Sequence, residues 1–232
     1  MSTYRINKIF IEIRYNDSIL FNNLEKVEQV NQELISLFTE STYDSENKVL
    51  AMGSSSKKAI TNISINRTTI DMELPERLED FKSVAMPVID AIIKVLNIKS
   101  FKRIGMRTFK GIEKKNFNEV DRYIKNNFIK YDDAAYRILN ENIYNFSTKF
   151  SFKVDEYNCI MGVSPEVYKK VDINNFEENA DSENMSFQAE LDIDIFMQGM
   201  LDSFEIRSSF IDKVINIHNE RLDKFINKIS KS

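Results

Sequence analysis

The chain of 232 residues has no tryptophan, one histidine, one cysteine, three prolines and five glycines. A lone cysteine, Cys159, excludes an internal disulfide and any multi-cysteine metal centre, and a reducing cytoplasm is the simplest setting for such a chain. Cys159 stands in the apolar run Cys159-Ile160-Met161, the surroundings of a buried, inert thiol rather than of a nucleophile. No run of eighteen apolar residues occurs, and the amino terminus leads directly into a charged amphipathic segment, so neither a membrane span nor a secretory signal is expected. There is no Gly-rich phosphate loop, no lysine placed after one and no nucleophile elbow. The formal net charge of −4 arises from lysines and arginines interspersed with acids, which argues against wholesale binding to nucleic acid.

What the chain does have is strong alternation between two hydrophobic periods. Ile9, Ile11, Ile13 and Tyr15 share one parity against Lys8, Glu12 and Arg14, the pattern of a strand with one buried face. Asn16-Asp17-Ser18 then supplies a turn and a cap, and Leu20, Leu24, Val27, Leu34 and Phe38 predict an amphipathic helix over 18–39. Polar residues 40–47 are read as its end. A short strand at 48–53 follows, then two strands within 59–74 separated by a turn at Asn66-Arg67, where the apolar parity switches. Pro75 opens a helix built on Leu78, Phe81, Ala85, Ile89, Ile92 and Leu96, with Pro87 predicting a kink near Ser83.

The second half begins with a strand over 100–115 and a helix over 116–130. Residues 143–154 alternate strongly and turn at Asp155-Glu156 into a strand over 157–163. An acidic loop is expected over 172–184. Alternation returns over 185–198, and the longest helix runs over 203–229. Both halves thus read as strand, helix, three strands, helix. The expectation is an α+β protein of antiparallel sheets with long packing helices, built from two duplicated units, 1–99 and 100–232, tightly packed together.

Three pieces of the second half carry a resemblance. They are Arg103-Ile104-Gly105-Met106-Arg107, then Leu191-Asp192-Ile193-Asp194, then a last helix in which His218 is followed seven residues later by Phe225. In this order they resemble the signature of an uncharacterised, sporadically distributed bacterial protein family. That family tends to carry an aromatic residue after the second arginine, where this chain has Thr108. The resemblance implies positions of interest rather than a chemistry, and its sporadic distribution implies a mobile-element or defence locus.

Arg103 and Arg107 project from one strand face with Gly105 between them, leaving bare backbone flanked by two guanidinium forks that suit a phosphate or carboxylate. The same forks suit the acids Glu190, Asp192 and Asp194, which alternate along one strand and repel one another unless cations lie across from them. Those acids also admit a divalent metal such as Mg²⁺. His218 falls on the apolar seam between Ile215 and Leu222, the place of a core imidazole; a proton-transfer role requires Asp192 or another outward acid to reach it. Tyr144, Phe146, Phe150 and Phe152, with Met161, Met185 and Met197, are core packing or the lining of a ligand cavity. The reading that follows is a non-enzymatic interaction or sensing protein of a bacterial cytoplasm that binds a protein partner or itself and needs no cofactor. Its alternatives are binding of a small anionic ligand such as a nucleotide on the arginine face and, third, a metal-dependent nuclease.

Overall fold

From the amino terminus the elements are β1 (Arg5–Tyr15), a 3₁₀ turn (Ile19–Asn22), α1 (Leu24–Leu34), β2 (Glu40–Asp44), β3 (Val49–Ser54), β4 (Ala59–Ser64), β5 (Arg67–Glu73) and α2 (Leu78–Val95). They continue as β6 (Ser100–Lys114), α3 (Phe117–Phe128), β7 (Thr148–Val154), β8 (Tyr157–Lys169), β9 (Met185–Asp202), α4 (Ser203–Ile217), a π-helical turn (His218–Leu222) and α5 (Asp223–Ile229). These come from a computed structural model that describes residues 4–129, 147–169 and 185–229. The start of the expected strand at 143–146, with Tyr144 and Phe146, and the whole of the acidic loop expected over 172–184 lie outside the described residues.

The protein is α+β, and its strands join in one antiparallel sheet of order β2-β3-β4-β5-β1-β6-β9-β8-β7. The two expected sheets are thus fused edge to edge, because β1 pairs with β6 along most of its length, from Arg5 opposite Gly111 to Tyr15 opposite Phe101. Outward from that junction one side runs β5, β4, β3, β2 and the other β9, β8, β7. Each half places its first strand at the junction, its last strand beside it and its middle strands outside.

One face of the sheet is mostly apolar. Ile11 opposes Ile70 and Met106, Met106 opposes Ile195, and Ile195 opposes Cys159, all of them buried. Burying each such large side chain contributes roughly 1.5–3 kcal/mol, and the helices supply the cover: α2 with Phe81, Val88 and Ile92, and α4 with Phe210, Ile211 and Val214, all buried. Pro87 lies within continuous α2. The opposite face of the central strands carries Phe10, Glu12 and Arg14 on β1, Arg103, Arg107 and Phe109 on β6, and Glu190, Asp192, Asp194 and Phe196 on β9, and none of the described helices covers it.

Four differences from the sequence reading have physical causes. β2 forms where only polar residues stand, because it is an edge strand with almost no buried face and so carries no apolar alternation. The helix expected over 18–39 is broken at Asn23, whose side chain accepts the Glu25 amide and caps α1. β8 continues past 163 through Pro165 to Lys169 because β9 runs alongside it as far as Met185 opposite Lys169. The last helix is interrupted by the π-helical turn at His218–Leu222.

Candidate functional site

The charged residues of the open face pair in two neighbouring groups, Arg107 with Asp192 and Arg103 with Glu12, Asp194 and Arg14. Arg107 grips Asp192 with two parallel hydrogen bonds, Nε to Oδ1 at 2.6 Å and Nη2 to Oδ2 at 2.5 Å. Arg103 divides its fork, Nη1 donating to Glu12 Oε1 at 3.0 Å and Nη2 to Asp194 Oδ2 at 2.9 Å. Arg14 donates to the same Glu12 at 2.9 and 3.2 Å. Glu12 is only 8% exposed, so such charge-assisted bonds are what make its burial tolerable. No motif singles out Glu12; its outward parity on β1 was the available signal, and the structure sets it opposite Gly105.

Ring faces support the lattice from below. The Arg103 guanidinium lies 4.8 Å from the Phe196 ring centroid and that of Arg107 lies 4.9 Å from Phe109, the geometry of cation–π attraction. Gly105 is not the bare patch that the sequence suggested. Arg103 folds over it so closely that a Cβ there would stand 2.8 Å from Nη1. The Asp192 bonds hold the Arg107 guanidinium above its ordinary value. Burial raises the Asp194 carboxyl above the ordinary aspartate value, against the lowering influence of Arg103 and Arg107.

Glu190, the third acid of the row, is treated differently. Its Oε2 accepts from Asn7 Nδ2 at 3.2 Å and from the Tyr168 hydroxyl, and among the described residues no cation pairs with it. Asn7 Nδ2 also donates to Gln188 Oε1 at 3.0 Å, and Gln188 Nε2 donates to Ser186 Oγ at 3.1 Å. Both amides crowd Gly111, where a Cβ would stand 1.7 Å from Gln188 Oε1 and 2.9 Å from Asn7 Nδ2. This network borders a cavity of about 750 Å³ whose lining includes Arg5, Lys8, Glu73, Phe109, Glu113 and Tyr168. The Tyr168 hydroxyl is pushed upward by burial and by its bond to Glu190. Burial and the Glu190 charge also raise the Glu166 carboxyl.

His218 belongs to the other face. It is fully buried, its Nε2 lies 3.2 Å from Thr108 Oγ1, and among the described residues its Nδ1 has no hydrogen-bond partner. Burial, with the nearby Lys110 charge, depresses its pKa well below the ordinary value. The acids of β9 lie on the opposite side of the sheet, so the proton-transfer arrangement with Asp192 does not form. Instead the structure places beside His218 a cluster that the sequence did not announce. Lys110, fully buried, donates to Asp223 Oδ1 at 2.7 Å and to the Tyr4 hydroxyl at 3.2 Å, and Tyr4 donates to Asp223 Oδ2 at 2.6 Å. Lys110 shares the parity of Ile104, Met106 and Ile112, and that was the available signal. Burial lowers the Lys110 pKa, while Asp223 opposes the shift.

At the β7 margin, Phe150, Phe152, Val154, Met161, Arg221, Leu222 and Phe225 line an apolar cavity of about 460 Å³. Met185 and Met197 stand away from it. Cys159 is buried, and desolvation pushes its thiol up to about 11, which suits an inert core residue. Among the described residues no group of three or more His, Cys, Asp or Glu side chains is arranged to hold a metal ion, and no helix is long and apolar enough to cross a membrane. Comparison of the chain with protein-family models and with curated proteins finds no match to either.

Proposed function

We propose that this is a non-enzymatic interaction or sensing protein of the bacterial cytoplasm, encoded at a mobile-element or defence locus, and that the open face of the sheet recognises a protein partner. The observation that carries this reading is the arginine lattice. Arg103 and Arg107 are stacked on Phe196 and Phe109 and tied in the sheet plane to Glu12, Asp192 and Asp194. Arginine and aromatic side chains held rigid in this way lose little conformational freedom on docking, and they are the residue types enriched at binding hot spots. The reading of the same arginines as a small-anion site is less favoured, because a bound phosphate must first displace carboxylates that hold bidentate or shared bonds.

Native mass spectrometry of the protein purified from its host tests the reading. A co-purifying protein should be present with the unaltered chain and lost with Phe196→Ala, while the melting temperature of the variant stays within a few degrees. A small anionic adduct that disappears with Arg107→Ala would replace the interaction reading with the anion-binding one.

A further inference from the structure

The row of acids on β9 is incomplete in its cations. Arg107 stands opposite Asp194 and reaches diagonally to Asp192; the residue in the equivalent diagonal position for Glu190 is Phe109, which stands opposite Asp192. The residue directly opposite Glu190 is Gly111. Glu190 is nonetheless only 8% exposed, and among the described residues its donors, Asn7 and Tyr168, are neutral. A carboxylate this buried is held far better with a counter-charge than with neutral donors alone.

The cavity beside it matches that deficit. Glu73, Glu113 and Glu190 line it with Arg5 and Lys8, and Lys8 is already paired with Asp71 at 3.4 Å. Its amide donors are engaged within the wall: both bonds of Asn7 Nδ2 run to Gln188 and Glu190, and Gln188 Nε2 bonds to Ser186. Three carboxylates thus face two cations, Arg5 and the already paired Lys8, so negative charge is in excess. Phe109 and Tyr168 add two aromatic rings to the lining, the surroundings that favour an ammonium or guanidinium group.

We propose that this cavity receives a lysine or arginine side chain of the protein partner, the cationic head standing against Glu190 in the position that an arginine at residue 109 would otherwise supply. The proposal rests on the open face being the recognition surface and adds the chemistry of what is recognised: a basic segment. Electrostatic attraction makes its binding weaken as salt is raised.

The test is an NMR titration of the full chain with acetylated, amidated peptides Gly-Gly-Arg-Gly-Gly and Gly-Gly-Lys-Gly-Gly, with the norleucine peptide as control. The expected result is saturable shifts of the Gly111 amide and the Gln188 side-chain amide with the basic peptides alone, and a loss of affinity of about tenfold or more in Glu190→Gln. Phe109→Arg, which places a cation inside the molecule, should abolish binding while leaving the chain folded. Absence of shifts, equal binding by the norleucine peptide, or unchanged affinity in Glu190→Gln overturns the proposal. Saturation by putrescine or Mg²⁺ with the same dependence on Glu190 overturns it too, since the cavity would then be a simple cation site. None of these outcomes touches a host protein whose binding is lost with Phe196→Ala, so the wider reading stands or falls separately.

Discussion

Lys110 Nζ lies 2.7 Å from Asp223 Oδ1, although the lysine side chain has no exposed surface. The pair ties the middle of β6 to the first residue of α5, and its two members are not equivalent. Asp223→Ala leaves a buried ammonium with only the Tyr4 hydroxyl and should cost about 3 kcal/mol. Lys110→Met leaves a partly exposed carboxylate that still accepts from Tyr4, and it should change stability by no more than about 1 kcal/mol. Urea unfolding of the two variants measures both values; equal losses would show that burial of the lysine is not the deciding term.

His218 supplies a pH dependence with a definite sign. Its folded pKa is depressed, so as pH falls below about 6.5 the unfolded chain takes up the proton first and folding loses up to about 1.4 kcal/mol per pH unit. Because it is the only histidine, urea midpoints measured at pH 7.5 and pH 5.5 isolate its contribution. The midpoint should drop at the lower pH, and the drop should largely vanish in His218→Gln. A drop of the same size in that variant would assign the acid lability elsewhere.

The two arginines of the lattice should differ in weight. The side chains of Arg103, Glu12 and Asp194 are 21%, 11% and 23% exposed, whereas those of Arg107 and Asp192 are 46% and 30% exposed. Arg103→Ala takes the hydrogen-bonded cation from Asp194, leaves Glu12 to Arg14 and Arg67, and should cost about 2–3 kcal/mol. Water can solvate Asp192 after Arg107→Ala, so that loss should stay near 1 kcal/mol or below. Thermal melts of the two variants should therefore rank Arg103→Ala well below Arg107→Ala.

Gly105 is needed only because Arg103 lies across it. Gly105→Ala places a methyl group 2.8 Å from Nη1 and 2.9 Å from Nη2, pushing the guanidinium off its carboxylates. The cost should be about 1–2 kcal/mol in the native chain and near zero when Arg103 is already alanine. A double-mutant cycle that finds the two losses additive would mean that the glycine serves the backbone instead.

Much of this architecture was legible because one face of nearly every strand is buried. Period-two alternation placed Ile9, Ile11 and Ile13 against the helices and put Arg103, Arg107, Asp192 and Asp194 together on the other face. Pairing register was not legible. That Arg103 shares Glu12 with Arg14, and that Glu190 is left to Asn7 and Tyr168, depends on which strands are neighbours, and alternation within a strand does not encode that. Edge strand β2 has no buried face and so no periodic signal. Lys110 shows the remaining difficulty: its parity said inward and its charge said outward, and only Asp223, 113 residues later, resolves the conflict.

The antiparallel pairing of β1 with β6 also has a consequence during synthesis. Residues 5–15 leave the ribosome well before residues 100–114, with Ile9, Ile11 and Ile13 in place, and β5 can pair with only one of their two edges. The other edge stays open until residues 100–114 have been made. Throughout that interval the nascent chain exposes an unpaired, apolar strand of the kind that templates aggregation. Chaperone dependence, or loss of yield on slowed translation between codons 74 and 100, is where the fused sheet should betray itself in the cell.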